Sequence, residues 1–138
     1  MVEPRSSFTV FIVKDLDAAK SFYTENLGFD VVFSGDWYIH LAAQSGVQLG
    51  FMLPDQPTQP PLFHEQYSGK GVIFSIEVED VDKAFEEARS KSLNIVFELK
   101  SEDWGQRHFC VQDPNGIYVD IVQPFEPSEE YQGDYVSE

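Results

Sequence analysis

The chain is short of cysteine, of basic residues and of long apolar runs, and each shortage removes a class of protein. One cysteine, Cys110, stands in 138 residues, so neither an internal disulfide nor a thiolate zinc cluster can be built. Nine Lys and Arg face 24 Asp and Glu, for a formal charge of −15. A surface of that sign repels phosphate backbones and anionic lipid, so neither a nucleic acid nor a membrane is expected as a partner. No apolar run approaches the roughly 20 residues that cross a bilayer. The start, Met1-Val-Glu-Pro-Arg, lacks the basic-then-apolar order of a secretory signal. Cytoplasmic residence is the expectation. A glycine-rich phosphate loop and a serine in a nucleophile-elbow setting are also missing.

What is present is a core-forming composition and a repeat. Hydrophobic residues make up 42% of the chain, with 12 Phe among them, enough to exclude general disorder. Phe8-Thr-Val-Phe-Ile-Val13 is a β-branched and aromatic run followed by Lys14-Asp-Leu-Asp17 and Ala18-Ala-Lys-Ser-Phe-Tyr23. Val72-Ile-Phe-Ser-Ile-Glu-Val78 is a second such run, followed by Glu79-Asp-Val-Asp82 and Lys83-Ala-Phe-Glu-Glu-Ala88. In each, a strand ends on an Asp suited to cap a helix (Asp15, Asp80), and a further Asp sits in the first turn, where the helix dipole favours it. Leu16, Ala19, Phe22 and Tyr23 form one helical stripe, and Val81, Ala84, Phe85 and Ala88 another.

Each copy then runs through similar strands. Val31-Val-Phe33 matches Ile95-Val-Phe97, the pair Asp36-Trp37 matches Asp103-Trp104, and Gly46 and Asn115-Gly116 each open a last strand. Gly28 is placed to end the first helix. Residues 1–125 are expected to be one domain, with unit one at about 7–53, a proline-rich linker at 54–70 and unit two at about 71–125. The tail, 126–138, carries five acidic and no basic residues. It should fray unless Tyr131 and Tyr135 pin it to the body or to a second subunit.

Val13-Lys-Asp-Leu-Asp-Ala-Ala-Lys-Ser-Phe-Tyr23, Leu27-Gly-Phe29, Val78-Glu-Asp-Val-Asp82 and Asp113-Pro-Asn-Gly-Ile-Tyr-Val-Asp120 come in an order and spacing that resembles the vicinal oxygen chelate superfamily. That group includes glyoxalases, extradiol dioxygenases and bleomycin-resistance proteins. The resemblance spans roughly residues 7–125. It implies an α+β fold of two tandem βαβββ units forming a curved mixed sheet, with helices on the outer face and a site in the cup. It also implies a homodimer.

Enzymes of that superfamily hold a divalent metal with His, Gln or Glu on four strand positions. Counted from the capping Asp and the closing Gly, those positions are Phe8, Gly50, Ile73 and Asp120. Three have no ligating side chain, so no metal and no other cofactor is expected. Strand alternation gives the same register in unit two. Ile117, Val119 and Ile121 make a helix-side face, leaving Tyr118, Asp120 and Val122 towards the cup, with Ile73, Ser75 and Glu77 beside them. The three histidines, His40, His64 and His108, read as hydrogen-bonded or surface side chains before they read as ligands. Cys110 reads as a small buried hydrophobe.

Three functions remain open. The first is a metal-independent small-molecule binder of the bleomycin-resistance type, holding an aromatic or cationic ligand. Its aromatic wall would be Phe8, Trp37, Tyr38, Phe63 and Trp104, with His40, Ile73, Arg107 and Asp120 completing the site. The second is a glyoxalase- or dioxygenase-like enzyme with an atypical site, using Glu77 or Asp120 with His40, His108 or Arg107. The third is a structural or regulatory dimer with no small ligand.

Overall fold

Period-two runs become strands and the two capped stripes become helices in the computed structural model, which describes residues 1–136. The order is β1 (Phe8–Ile12), α1 (Leu16–Asn26), β2 (Asp30–Ser34), β3 (Tyr38–Ala42) and β4 (Gln48–Met52). A 3-10 turn at Pro61–Phe63 follows, then β5 (Phe74–Glu77), α2 (Val81–Ser90), β6 (Ile95–Glu102), β7 (Gln106–Gln112), β8 (Tyr118–Pro124) and a short α3 (Glu129–Gln132). The chain divides into unit one, Met1–Lys70, and unit two from Gly71 onward. Each unit has its own mixed four-stranded sheet, ordered β1-β4-β3-β2 and β5-β8-β7-β6. The first strand of each unit pairs parallel with the last, and the other pairings are antiparallel.

Local chemistry explains the helix ends. The Asp15 carboxylate accepts from Ala18 N at 2.9 Å and the Asp80 carboxylate from Lys83 N at 3.1 Å, satisfying N–H groups that have no partner within the helix. After α1, Gly28 takes φ +73, a left-handed conformation that costs glycine nothing. After α2 the same job falls to Ser92 at φ 55.

Each helix covers one face of its own sheet. In unit one Ala19, Phe22 and Tyr23 of α1 are buried, as are Phe11, Ile39, Leu41, Leu49 and Phe51 of the sheet. Tyr23 lies 5.0 Å from Phe51 between ring centroids. In unit two Val81, Phe85 and Ala88 meet Phe109, Val111, Val119 and Ile121, with Phe85 edge-on to Phe109 at 5.1 Å. The last strands start from matching turns. Ala43 N bonds to Val47 O and Asp113 N to Ile117 O, both at 2.8 Å. In unit two the buried Asp113 carboxylate also accepts from Asn115 N and Ile117 N.

One expectation changes. The aspartate–tryptophan pairs share a hairpin but not a register. Tyr38 pairs with Met52 and His108 with Val122, residues equally distant from the closing glycines, so Trp37 corresponds to Arg107 rather than to Trp104. The tail, over its described residues, makes contacts with its own unit through the two tyrosines named above. Phe125 N bonds to Gly105 O at 2.8 Å and Ser128 N to Asp103 O at 2.9 Å. Tyr131 packs edge-on against Trp104, and the Tyr135 hydroxyl donates to the Trp104 carbonyl. The tail is thus pinned to the β6–β7 turn of its own unit. Its last two residues lie outside the described residues.

Candidate functional site

Alternation fixes which side chains leave the helix-covered face. Thr9, Phe11, Ile39, Leu41, Leu49 and Phe51 share the α1 side by their pairing, so Phe8, Val10, Ile12, Tyr38, His40, Gly50 and Met52 share the other. On that open face of unit one lies a cavity of about 410 Å³, lined by Phe8, Val10, Ile12, Trp37, Tyr38, Met52, Gln59 and Phe63. No lining side chain is charged at neutral pH. The proline-rich segment after β4 supplies one wall. His64 donates from Nε2 to the Gln59 carbonyl at 2.7 Å, and its own carbonyl accepts from Asp55 N.

A chain of hydrogen bonds without a carboxylate borders this cavity. The Tyr38 hydroxyl lies 2.7 Å from His40 Nδ1, and His40 Nε2 lies 2.8 Å from Gln48 Oε1. Phe8 sits edge-on to the His40 ring at 4.8 Å. Burial raises the Tyr38 pKa, keeping the hydroxyl protonated. Glycine at position 50 is what admits Tyr38: a Cβ there would run into the Tyr38 hydroxyl and crowd Val10 Cγ2 at 3.1 Å.

Unit two carries an ionic cluster instead. His108 Nδ1 lies 2.7 and 3.0 Å from the two Asp120 carboxylate oxygens, and Nε2 lies 2.9 Å from Glu102 Oε2. Lys100 Nζ approaches the other Glu102 oxygen at 3.1 Å. The His108, Glu102 and Asp120 side chains are only 14%, 11% and 15% exposed. Burial disfavours the imidazolium, but the bonds to Glu102 and Asp120 outweigh it and the His108 pKa is raised. The bond to His108, opposed by burial and aided by Lys100, lowers that of Glu102. Both ring nitrogens face carboxylates, so the charged ring has no lone pair with which to act as a base. Cys110, also on this face, has its pKa pushed to about 11, first by burial and then by the Asp120 charge. A thiol so poised is a poor nucleophile at neutral pH.

Of the residues singled out from sequence, the structure brings Phe8, Trp37, Tyr38 and Phe63 into one cavity, with His40 directly behind. Asp120 belongs to the ionic cluster of unit two. Ile73 stands just ahead of β5, 69% exposed. Trp104 is engaged by the tail, its indole N–H donating to Gln106 Oε1. Arg107 points the other way from the expected site. It pairs with Gln123 in the ladder and shares the α2 side with Phe109, where its guanidinium grips Asp82 at 2.8 and 3.2 Å. The residues not singled out are Val10, Ile12, Met52 and Gln59. The first three follow from the period-two pattern of Phe8 and Gly50, whereas Gln59 carries no sequence signal.

The side chains do not fit the divalent metal that the resemblance implies. Phe8, Gly50 and Ile73 offer no side-chain donor, Tyr38 fills the space that a side chain at position 50 would need, and Asp120 is committed to His108. Among the described residues no group of three or more His, Cys, Asp or Glu side chains is arranged to hold a metal ion.

Residues 5–121 match the family model of the Glyoxalase/Bleomycin resistance protein/Dioxygenase superfamily, and the chain belongs to that superfamily. Among solved structures it is similar to a glyoxalase/bleomycin resistance protein/dioxygenase from Nocardioides, with 21% identity and a TM-score of 0.76 over 93% of this chain and 88% of that one. It is also similar to an antibiotic binding protein from a Streptomyces species, with 25% identity and a TM-score of 0.66 over 90% of this chain and 98% of that one. A lactoylglutathione lyase from Agrobacterium tumefaciens shares 19% identity, with a TM-score of 0.71 over 87% and 94%. No curated protein matches. Among the described residues no helix is long and apolar enough to cross a membrane.

Proposed function

We propose that the protein is a metal-independent binder that captures a small, flat aromatic molecule, neutral or cationic, in the cavity of unit one. The observation that carries this reading is the cavity itself. Its volume of about 410 Å³ falls within the roughly 300–1,000 Å³ of small-molecule sites, and its lining is apolar and aromatic with few polar atoms. By the resemblance, Phe8 and Gly50 fall where the superfamily's metal enzymes need donors, whereas here Phe8 lines the cavity and Gly50 makes room for Tyr38. The name of the antibiotic binding protein among the structural neighbours agrees with such a role. The carboxylate expected to draw cations, Asp120, is occupied by His108. The preference for cations then rests on the −15 charge of the chain and on the face of Trp37.

The protein is read as a homodimer, because edge strand β2 leaves Val31, Val32 and Phe33 at 42%, 63% and 55% exposure. Calorimetric titration of chelator-treated protein with matched cationic, neutral and anionic naphthalene derivatives tests the binding role. Retained binding with the anion weakest supports it. Binding that appears only after a divalent metal is restored overturns it.

A further inference from the structure

We infer that the molecule taken by this cavity carries an N–H or O–H group on its ring system, and that the Tyr38 oxygen accepts from it. The inference rests on the binding role proposed above and names the class of ligand.

The polarity is set two side chains away from the cavity. Gln48 turns its oxygen, Oε1, towards His40 Nε2 at 2.8 Å. An amide oxygen only accepts, so Nε2 carries the proton. His40 meets no carboxylate, unlike His108, and an imidazole whose single N–H is at Nε2 bears a lone pair at Nδ1. Its Nδ1 is therefore a lone pair, and the Tyr38 hydroxyl 2.7 Å away must donate to it. A hydroxyl has one proton and two lone pairs. With the proton spent on His40, Tyr38 meets the cavity as an acceptor only.

The surroundings hold this arrangement. Phe8, edge-on to the imidazole with an interplanar angle of 83°, restricts the ring, and Gly50 leaves room for the hydroxyl beside Val10 at the cavity wall. Apart from Gln59, whose amide offers both polarities, the remaining lining side chains are apolar or, like the indole of Trp37, donor-only. A phenol, an aromatic amine or a ring amide meets the Tyr38 oxygen with a donor. An ether or ketone of the same shape sets lone pair against lone pair and leaves a buried acceptor unpaired, which disfavours it by about tenfold or more.

The test has two arms. In protein free of ligand, nitrogen-15 NMR of the imidazoles, assigned by loss of signal in His40→Phe, is expected to show His40 protonated at Nε2 and bare at Nδ1. A proton on Nδ1 overturns the inference whatever binds. In the second arm naphthalene, 2-naphthol and 2-methoxynaphthalene are titrated by calorimetry. The expected result is 2-naphthol tighter than 2-methoxynaphthalene by about tenfold, with the gap closing in Tyr38→Phe. Equal binding of the two overturns the inference and leaves the binding role standing. A gap that survives in Tyr38→Phe is steric and overturns it as well. Failure of all three probes overturns the binding role, and the inference falls with it.

Discussion

Unit one and unit two share a strand order, a capped helix and a closing turn, yet their open faces carry opposite chemistry. At the register position opposite Met52, unit one places Tyr38, bonded through His40 to Gln48 and bordering an apolar cavity. At the matching position opposite Val122, unit two places His108, held between Glu102 and Asp120. The closing strands differ likewise: Gly50 opens space in one unit where Asp120 supplies charge in the other. The backbone repeat decides where side chains point, and substitutions at those fixed points decide what the face does.

The largest effects should show where the two units are alike. Phe51 and Phe109 are both fully buried on the helix side. Phe51→Ala and Phe109→Ala should each cost about 3–5 kcal/mol in chemical denaturation. A cost near zero for one alone would mean that its helix-side core is not the packed layer described.

A smaller effect marks where they differ. The raised pKa of His108 makes its contribution full below the unfolded value of about 6.5 and lost as pH rises through the folded value. The lowered pKa of Glu102 makes its contribution full above about 4.5 and lost as pH falls through the folded value. Stability from this cluster is therefore greatest between those two pH values. Denaturation midpoints followed from pH 4 to 9 should show that maximum in the wild type and a flatter profile in His108→Gln. An unchanged profile would separate the cluster from stability.

The smallest effect concerns the helix ends. Ser92 takes the left-handed conformation after α2 that Gly28 takes after α1. Ser92→Gly should raise stability by about 0.5–1 kcal/mol, and Gly28→Ser should lower it by a similar amount. A loss on Ser92→Gly would mean that the serine side chain contributes more than its backbone strain costs.

The same comparison shows what was legible in the sequence. The caps Asp15 and Asp80, the closing glycines and the order of strands are local signals, and local hydrogen bonds realise them. Alternation alone was enough to separate Val119 and Ile121 from Asp120. Arg107 resisted, because no local signal fixes its parity in β7 and the β6–β7 hairpin shifts the aspartate–tryptophan pair by three residues against the shared register. Gln59 resisted for another reason. Its place depends on the path of the proline-rich segment and on the bond from His64, neither of which leaves a periodic mark. The tail on Trp104 depends on contacts from 27 and 31 residues away in the chain, which no local pattern announces.

The central claim is that ligand binding belongs to the open face of unit one. Calorimetry with 2-naphthol on Trp37→Leu and Trp104→Leu, both without metal, tests it most directly. A neutral ring packed against Trp37 is worth about 0.5–1.5 kcal/mol beyond its area burial, so Trp37→Leu should weaken binding by roughly 2- to 12-fold while Trp104→Leu leaves it unchanged. The reverse pattern, with Trp104→Leu the damaging change, would contradict the account.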